Sequence, residues 1–318
     1  MSAAAPAAVP ASSGPPSATG LRLAAACGAG ALWGTGSLVV NLLIARHGFA
    51  PQSISFWRFL LGTLALLAVF GRRMPWRALA REGGTLALAG TMLALYVLFW
   101  FLGIARIGAA LPTLIALCLP PVFVTGWALA RGQQRASLGL LAVLGAALAG
   151  ALLLVGGGRP AGVPASPADF GWGVAAATAS ALLYAGFTLL GPRLSRRWGA
   201  GAATTALTGV ATLVMGLSGL VWPLQWPREA TPEAWLLYLG MVTAALALLA
   251  FTWGAARLSP TALTVATLVE PLTAVALAAV FLGERLGAGQ WLGALLLLGG
   301  IWGLGRHEAG AAAAGAPA

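Results

Sequence analysis

The chain has 318 residues, 59% of them hydrophobic and only 8% charged, with a mean hydropathy of +0.90. Soluble domains carry about 25% charged residues, so this composition excludes one and defines a polytopic membrane protein. The net charge of +11 comes from arginines with no lysine, and because these sit in short segments between apolar runs they read as topology signals, not as a nucleic-acid surface.

Residues 1–20 form an Ala/Pro/Ser tail that is expected to be disordered. It has no basic n-region, and the apolar run after it is too long for a signal peptide. Ten apolar runs follow, at about 21–45, 52–70, 83–103, 109–130, 138–155, 170–190, 202–222, 234–256, 260–282 and 288–304. They fall into two five-helix units, 21–156 and 170–305, joined by a linker at 157–169 and followed by a tail at 306–318 that is expected to be disordered. With the N-terminus inside, the cytoplasmic arginines (among them Arg72, Arg73, Arg77, Arg81, Arg193, Arg196 and Arg197) outnumber the outer set (Arg46, Arg106, Arg159, Arg228 and Arg285) by more than two to one. Both termini are therefore expected in the cytoplasm. The cluster from Arg72 to Arg81 is also placed to meet anionic lipid headgroups, although topology alone accounts for it.

Little in the chain suggests catalysis. Cys27 and Cys118 lie singly in apolar runs, outside any CxxC or Cys/His spacing. No Ser/His/Asp set, HExxH motif or phosphate loop stands in the right context. The expectation is a protein that is not an enzyme and holds no metal or cofactor.

Sliding the sequence on itself by about 150 residues brings out a duplication. One register places Trp33 on Tyr184, Ser37 on Thr188, Arg46 on Arg197, Gly48 on Gly199, Gly103 on Gly254, Arg106 on Arg257, Thr113 on Thr264 and Pro120 on Pro271. Five helices per copy is an odd number, so the second copy enters the membrane from the opposite side. The fold class is then all-α integral membrane, with ten transmembrane helices as two inverted five-helix repeats. Two inverted copies can exchange conformations, which turns an outward-open cavity into an inward-open one.

The membrane-embedded polar groups mark the candidate site. Glu270 is the only ionisable residue between Ser259 and Gly283, and an acid at the centre of a spanning helix faces protein or a water-filled cavity. Pro271 beside it removes a backbone donor and bends or loosens the helix, and Pro120 holds the same place in the first copy. These two prolines are the candidate hinges. Arg58 lies about 9 Å below the outer end of its helix and Glu270 near the midplane, close enough in depth for an ion pair. That pair is either static, holding the halves together, or functional, with Glu270 exchanging a proton as its distance from Arg58 changes. Candidate cavity walls come from faces with four-residue spacing: Trp33, Ser37 and Asn41 on the first helix, Ser180, Tyr184 and Thr188 on the sixth, and Tyr96 with Trp100 on the third. Thr267 sits one turn before Glu270. Aromatic walls with polar tips suit an amphipathic organic substrate, though Trp and Tyr also anchor helix ends at the interface.

The stretches WGTGSLVVNLL at Trp33, APQSISFWRFLLGTLALL through Arg58 and LVEPLTAVALAAVFLGERLGAGQWLGALLLLGG around Glu270 resemble the drug/metabolite transporter superfamily, specifically its ten-helix EamA-repeat members. The resemblance covers nearly the whole chain. It implies an inner-membrane carrier for small metabolites, often an exporter of amino acids or related compounds. The first copy departs from the acidic pattern, with Leu119-Pro120 where the second has Glu270-Pro271. The resulting expectation is a secondary transporter working by alternating access with a small-molecule substrate, proton coupling through Glu270, and membrane lipids but no nucleic acid as partners. A lipid or drug flippase, a facilitator in the same fold, and a non-transport assembly protein are the competing readings.

Overall fold

The computed structural model describes residues 18–107, 110–132, 137–156, 166–282 and 287–313, and every regular element among the described residues is helical. In chain order these are α1 (Ala18–His47), α2 (Pro51–Phe70), a 3-10 turn at Gly71–Arg73, α3 (Trp76–Arg81), α4 (Gly83–Ile107), α5 (Ala110–Ala130) and α6 (Leu138–Gly156). There follow α7 (Pro167–Ser218), α8 (Ala230–Tyr238), a π-helical stretch at Leu239–Leu246 that runs into α9 (Ala247–Ala255), α10 (Pro260–Ala266), α11 (Val269–Leu282) and α12 (Ala288–Ala313). A helix satisfies all its backbone groups internally, which is what lets an apolar segment sit in lipid. By length and composition Thr19–His47, Pro51–Arg73, Gly83–Ile107, Pro167–Ser218 and Ala230–Ala255 are each able to cross a membrane, and Ile115–Ala130, Leu138–Leu153 and Ala288–Leu304 are shorter apolar helices. Exposed Val69, Leu213, Leu295 and Trp302 form an apolar outer surface suited to lipid tails.

The duplication organises the backbone. Gly48 ends α1 in the left-handed region at φ 62°, and the N–H groups of Gly48 and Phe49 return to the carbonyls of Ile44 and Leu43. Its repeat mate Gly199 takes the same left-handed φ, 79°, inside α7, so that element is two helices meeting at Gly199, as α1 and α2 meet at Gly48. The packing follows the same symmetry. α1 packs on α9 and α11 as α7 packs on α4 and α5, and α6 packs against α12. At Gly103 an added Cβ would stand 3.3 Å from the Gly173 carbonyl oxygen, and at Gly254 it would stand 2.9 Å from that of Arg22, the repeat mate of Gly173. Each repeat thus lays its third helix against the first helix of the other, with the backbones in close approach at glycine.

Several expectations are corrected. The run at 260–282, expected to be one bent helix, is two helices separated at Thr267–Leu268. The runs at 170–190 and 202–222 are continuous through 191–201 apart from the Gly199 break. The tail at 306–318 was expected without structure, yet α12 continues through Arg306 to Ala313, in keeping with the high helix propensity of alanine. The tail at 1–20 and the linker at 157–169 give way to helix at Ala18 and Pro167, and their remaining residues, 1–17 and 157–165, lie outside the described residues apart from Ser166. Ser166 caps α7, accepting the Asp169 N–H at 3.1 Å. The short helix α3, with Trp76 exposed, had no counterpart among the apolar runs.

Candidate functional site

The site begins at the break before α11. A continuous helix would have bonded the N–H of residue 271 to the Thr267 carbonyl, but proline has no such donor. The Thr267 carbonyl accepts instead from the Glu270 N–H at 2.9 Å, which tightens the chain and starts α11 afresh with Glu270 in its first turn. Helix α1 lies directly against this break. A Cβ on Gly30 would stand 3.0 Å from the Thr267 carbonyl oxygen, and one on Gly34 would stand 2.5 Å from that of Glu270. Two glycines one turn apart therefore seat Trp33 beside Glu270.

Around this point is a cavity of about 410 Å³, its mouth included, lined by Trp33 of α1, Arg58 of α2, Tyr96 and Trp100 of α4, Ala116 and Leu117 of α5, Ser180 and Tyr184 of α7, and Glu270 of α11. Both repeats contribute walls. Tyr96 and Tyr184 stand with ring centroids 5.0 Å apart, and the stacked pair Phe187 and Phe251, 5.8 Å apart at 16°, lies against Tyr184.

Most polar tips in the wall are already engaged. The Trp33 indole donates to the Thr243 carbonyl at 2.9 Å, inside the π-helical stretch, a local form often found where a helix serves a site. The Trp100 indole donates to the Thr113 hydroxyl at 3.1 Å, and Ser180 donates to the Tyr96 carbonyl at 2.8 Å. Tyr184 and Thr267 share a hydroxyl–hydroxyl bond of 3.2 Å, which makes Thr267 a support behind the wall instead of part of it. Arg58 and Glu270 differ from these. Both are buried, at 6% and 4% exposure, and both face the cavity. Among the described residues neither side chain makes a hydrogen bond or ion pair, and the Arg58 Nε has no partner.

The expected contact between the two is thus not formed: the ion pairs among the described residues join His47 to Glu229, Arg106 to Asp169 and Arg197 to Glu82. Depth along the membrane is legible from sequence, whereas lateral separation is set by packing. α2 lies on α7, the π-helical stretch and α4, and this places Arg58 in the wall without bringing it onto α11.

Three other expected wall residues lie off the cavity. Ser37 bonds the Gly34 carbonyl at 2.8 Å, Thr188 bonds the Ala185 carbonyl at 2.8 Å, and Asn41 is half-buried further along α1. A residue four places on rises about 6 Å, so a helix crossing a small cavity offers it one turn, not a whole face. The proline positions also diverge, since Pro271 stands at a helix start while Pro120 and Pro121 lie within the unbroken α5. Ala116 and Leu117 were missed, as were Phe187 and Phe251 against Tyr184. The repeat register could have found two of these, because Ala116 is the mate of Thr267 and Phe251 that of Trp100. Among the described residues no cluster of three His, Cys, Asp or Glu side chains could hold a metal.

The model of the EamA-like transporter family matches this chain twice, at residues 21–156 and 171–306. The chain is 28% identical over 272 residues to the "Uncharacterized transporter YwfM" of Bacillus subtilis (strain 168), covering 84% of this chain and 88% of that protein. It is 27% identical over 285 residues to the "Uncharacterized inner membrane transporter YicL" of Salmonella typhimurium, covering 86% and 91%. A protein known from a crystal structure superposes with a TM-score of 0.72 at 20% identity, over 90% of this chain and 97% of that one, a likeness of fold alone.

Proposed function

The chain belongs to the EamA-like transporter family and is a multi-pass membrane protein, and on that premise we propose that it is a secondary transporter. It exports a small metabolite, such as an amino acid or related compound, across the cytoplasmic membrane by alternating access and has no catalytic role. The observation that carries this reading is the cavity between the repeats, in which Arg58 and Glu270 are buried yet unpaired with each other. Buried charges are costly in a membrane protein and are kept where they serve a pathway.

Ten crossings fit the helices if α7 counts twice. At 52 residues it would run about 78 Å if straight, against about 30 Å of hydrocarbon, and Gly199 supplies the turn. α8 with α9, and α10 with α11, then count once each. Five crossings per repeat make the repeats inverted, and the arginine bias favours cytoplasmic termini. In this scheme the α10–α11 break is the moving joint, and Glu270 takes up and releases a proton as its separation from Arg58 changes. The partners are the small-molecule substrate, protons and membrane lipids, with no role for nucleic acid.

The test is a proteoliposome screen of amino acids and small aromatics with and without a pH gradient, on wild type and Glu270→Gln. The proposal expects the variant to lose gradient-driven accumulation and keep substrate exchange. Accumulation that survives in the variant removes Glu270 as the coupling group, and flux indifferent to the gradient in wild type makes the protein a facilitator.

A further inference from the structure

The ion pair between Glu82 and Arg197 joins the two copies on the face that carries the Gly199 turn, the cytoplasmic face in the proposed topology. The register that places Arg46 on Arg197 also places Glu82 on Glu233, so each partner has a mate of the same residue type. The other two ion pairs have no such image: Arg106 with Asp169 maps onto Arg257 with Ala18, and His47 with Glu229 onto Trp198 with Ala78. The mates also stand in equivalent places. Arg197 and Arg46 each come two residues before a left-handed glycine, Gly199 and Gly48, while Glu82 immediately precedes α4 and Glu233 lies in the first turn of α8.

Yet only one of the two pairs is formed. Arg46 and Glu233 are both exposed, and neither makes an ion pair among the described residues. They are neighbours all the same. His47, next to Arg46, lies 3.9 Å from Glu229 and meets the Trp235 ring at 5.6 Å, and these two residues bracket Glu233 in the chain. Just beyond this point the copies differ, since Leu239–Leu246 is π-helical where its mate, 88–95, lies within the regular α4. The wider turns of a π-helical stretch rotate the start of the helix relative to the part of it packed on α1. The position of the cavity agrees with the open pair. Arg58, Trp100 and Leu117 each lie seven residues, about 10 Å, from the end of their helix nearer the Gly48 turn, so the cavity lies toward the face where Arg46 and Glu233 stand apart.

We propose that Glu82–Arg197 and Arg46–Glu233 are matched latches that close in turn: the structure holds the first, and opening the cavity to the Gly199 face breaks it and joins Arg46 to Glu233. Each pair links one copy to the other, and an exchange of conformations between the copies converts every contact between them into its mate. Exposure suits the role. The Arg197 side chain is 66% exposed, and a pair of this kind biases a two-state equilibrium by about fivefold at most, so it selects a state without locking it.

This inference rests on the alternating-access reading and deepens it, and its test alters one face while reading the other. With Cys27 and Cys118 replaced by alanine, Arg46→Cys and Glu233→Cys are introduced together, and disulfide formation between positions 46 and 233 under copper(II) phenanthroline is timed in proteoliposomes. Glu82→Gln should raise that rate about threefold to fivefold, because release of one latch populates the state in which the other closes. Glu82→Arg with Arg197→Glu restores the pair with its signs exchanged and should return the rate to its starting value. Asp169→Asn breaks the ion pair that has no image and should leave the rate unchanged. A rate indifferent to Glu82→Gln overturns the exchange, as does a rise that Asp169→Asn reproduces, a rise that persists in the swapped variant, or a pair of cysteines that never crosslinks. Flux of labelled L-leucine, L-threonine and L-phenylalanine through the same vesicles is the second arm, and it should stop when the disulfide forms and resume on reduction. Flux that continues through the crosslinked protein overturns the latch and leaves the carrier. Crosslinking that responds to Glu82→Gln, with no flux of any probe before oxidation or after reduction, supports the exchange and overturns the carrier reading.

Discussion

Replacing Gly34 with alanine should wedge α1 away from the start of α11. The new Cβ would stand 2.5 Å from the Glu270 carbonyl oxygen and 2.8 Å from the Thr273 Cβ, well inside van der Waals contact. Both neighbours are fixed by helical backbone, so the helices must separate by about 1 Å, an overpacking that costs about 1–3 kcal/mol. The gain in helix propensity from Gly to Ala returns at most about 1 kcal/mol. At a 2.5 Å approach to fixed backbone the cost lies at the upper end of that range, which leaves a net loss of about 1–2 kcal/mol and a fall in apparent Tm of several degrees, at ~2–4 °C per kcal/mol for large domains. Gly145 and Gly299 are the controls, because a Cβ at either meets nothing within 4 Å. Alanine there should leave Tm unchanged or raise it. Melting of the three variants in one detergent at one scan rate makes the comparison, since unfolding of such a protein is read as a rate. A Gly34→Ala variant that melts with wild type, or a Gly145→Ala variant that melts as low as Gly34→Ala is expected to, would refute the claim that α1 touches the break through Gly34.

Thr267→Val removes the partner of the buried Tyr184 hydroxyl and should cost about 1–2 kcal/mol, with weaker substrate binding as Tyr184 loses its fixed position; unchanged binding in a titration would show that the bond does not hold the wall. Trp33→Phe should shift substrate affinity while leaving expression near wild type, because it frees the Thr243 carbonyl without emptying the ring site, and equal affinities would count against Trp33 as a wall. Neutralising either Glu82 or Arg197, an ion pair with its arginine well exposed, should change Tm by no more than the effect of about 1 kcal/mol, as a double-mutant cycle would show. In a background with Cys27 and Cys118 replaced by alanine, a cysteine at position 228 should react with an impermeant maleimide on intact cells, and one at position 77 only after permeabilisation. The reverse pattern would invert the topology.

Hydropathy, the arginine pattern and the repeat register were legible in the sequence because each depends on residues taken singly or at fixed offsets. A long apolar run must be helical in lipid whatever its neighbours are, and Gly48 and Gly199 mark the same turn in both copies because a left-handed φ favours glycine wherever it occurs. Trp33, Arg58, Tyr96, Trp100, Ser180, Tyr184 and Glu270 could be nominated from type and spacing, and they meet at one cavity. What only the tertiary structure decided concerns distance across helices and the choice of hydrogen-bond partner. Arg58 and Glu270 share a depth yet do not pair, since α2 packs on α7 and α4 and not along α11. Ser37 and Thr188 share a helical face with Trp33 and Tyr184, but each hydroxyl bonds a carbonyl of its own helix. Ala116 carries no chemistry that sequence could single out. Its place in the wall comes from the crossing of α5 and α7, and side-chain packing between segments distant in the chain is the part of the fold that local pattern does not encode.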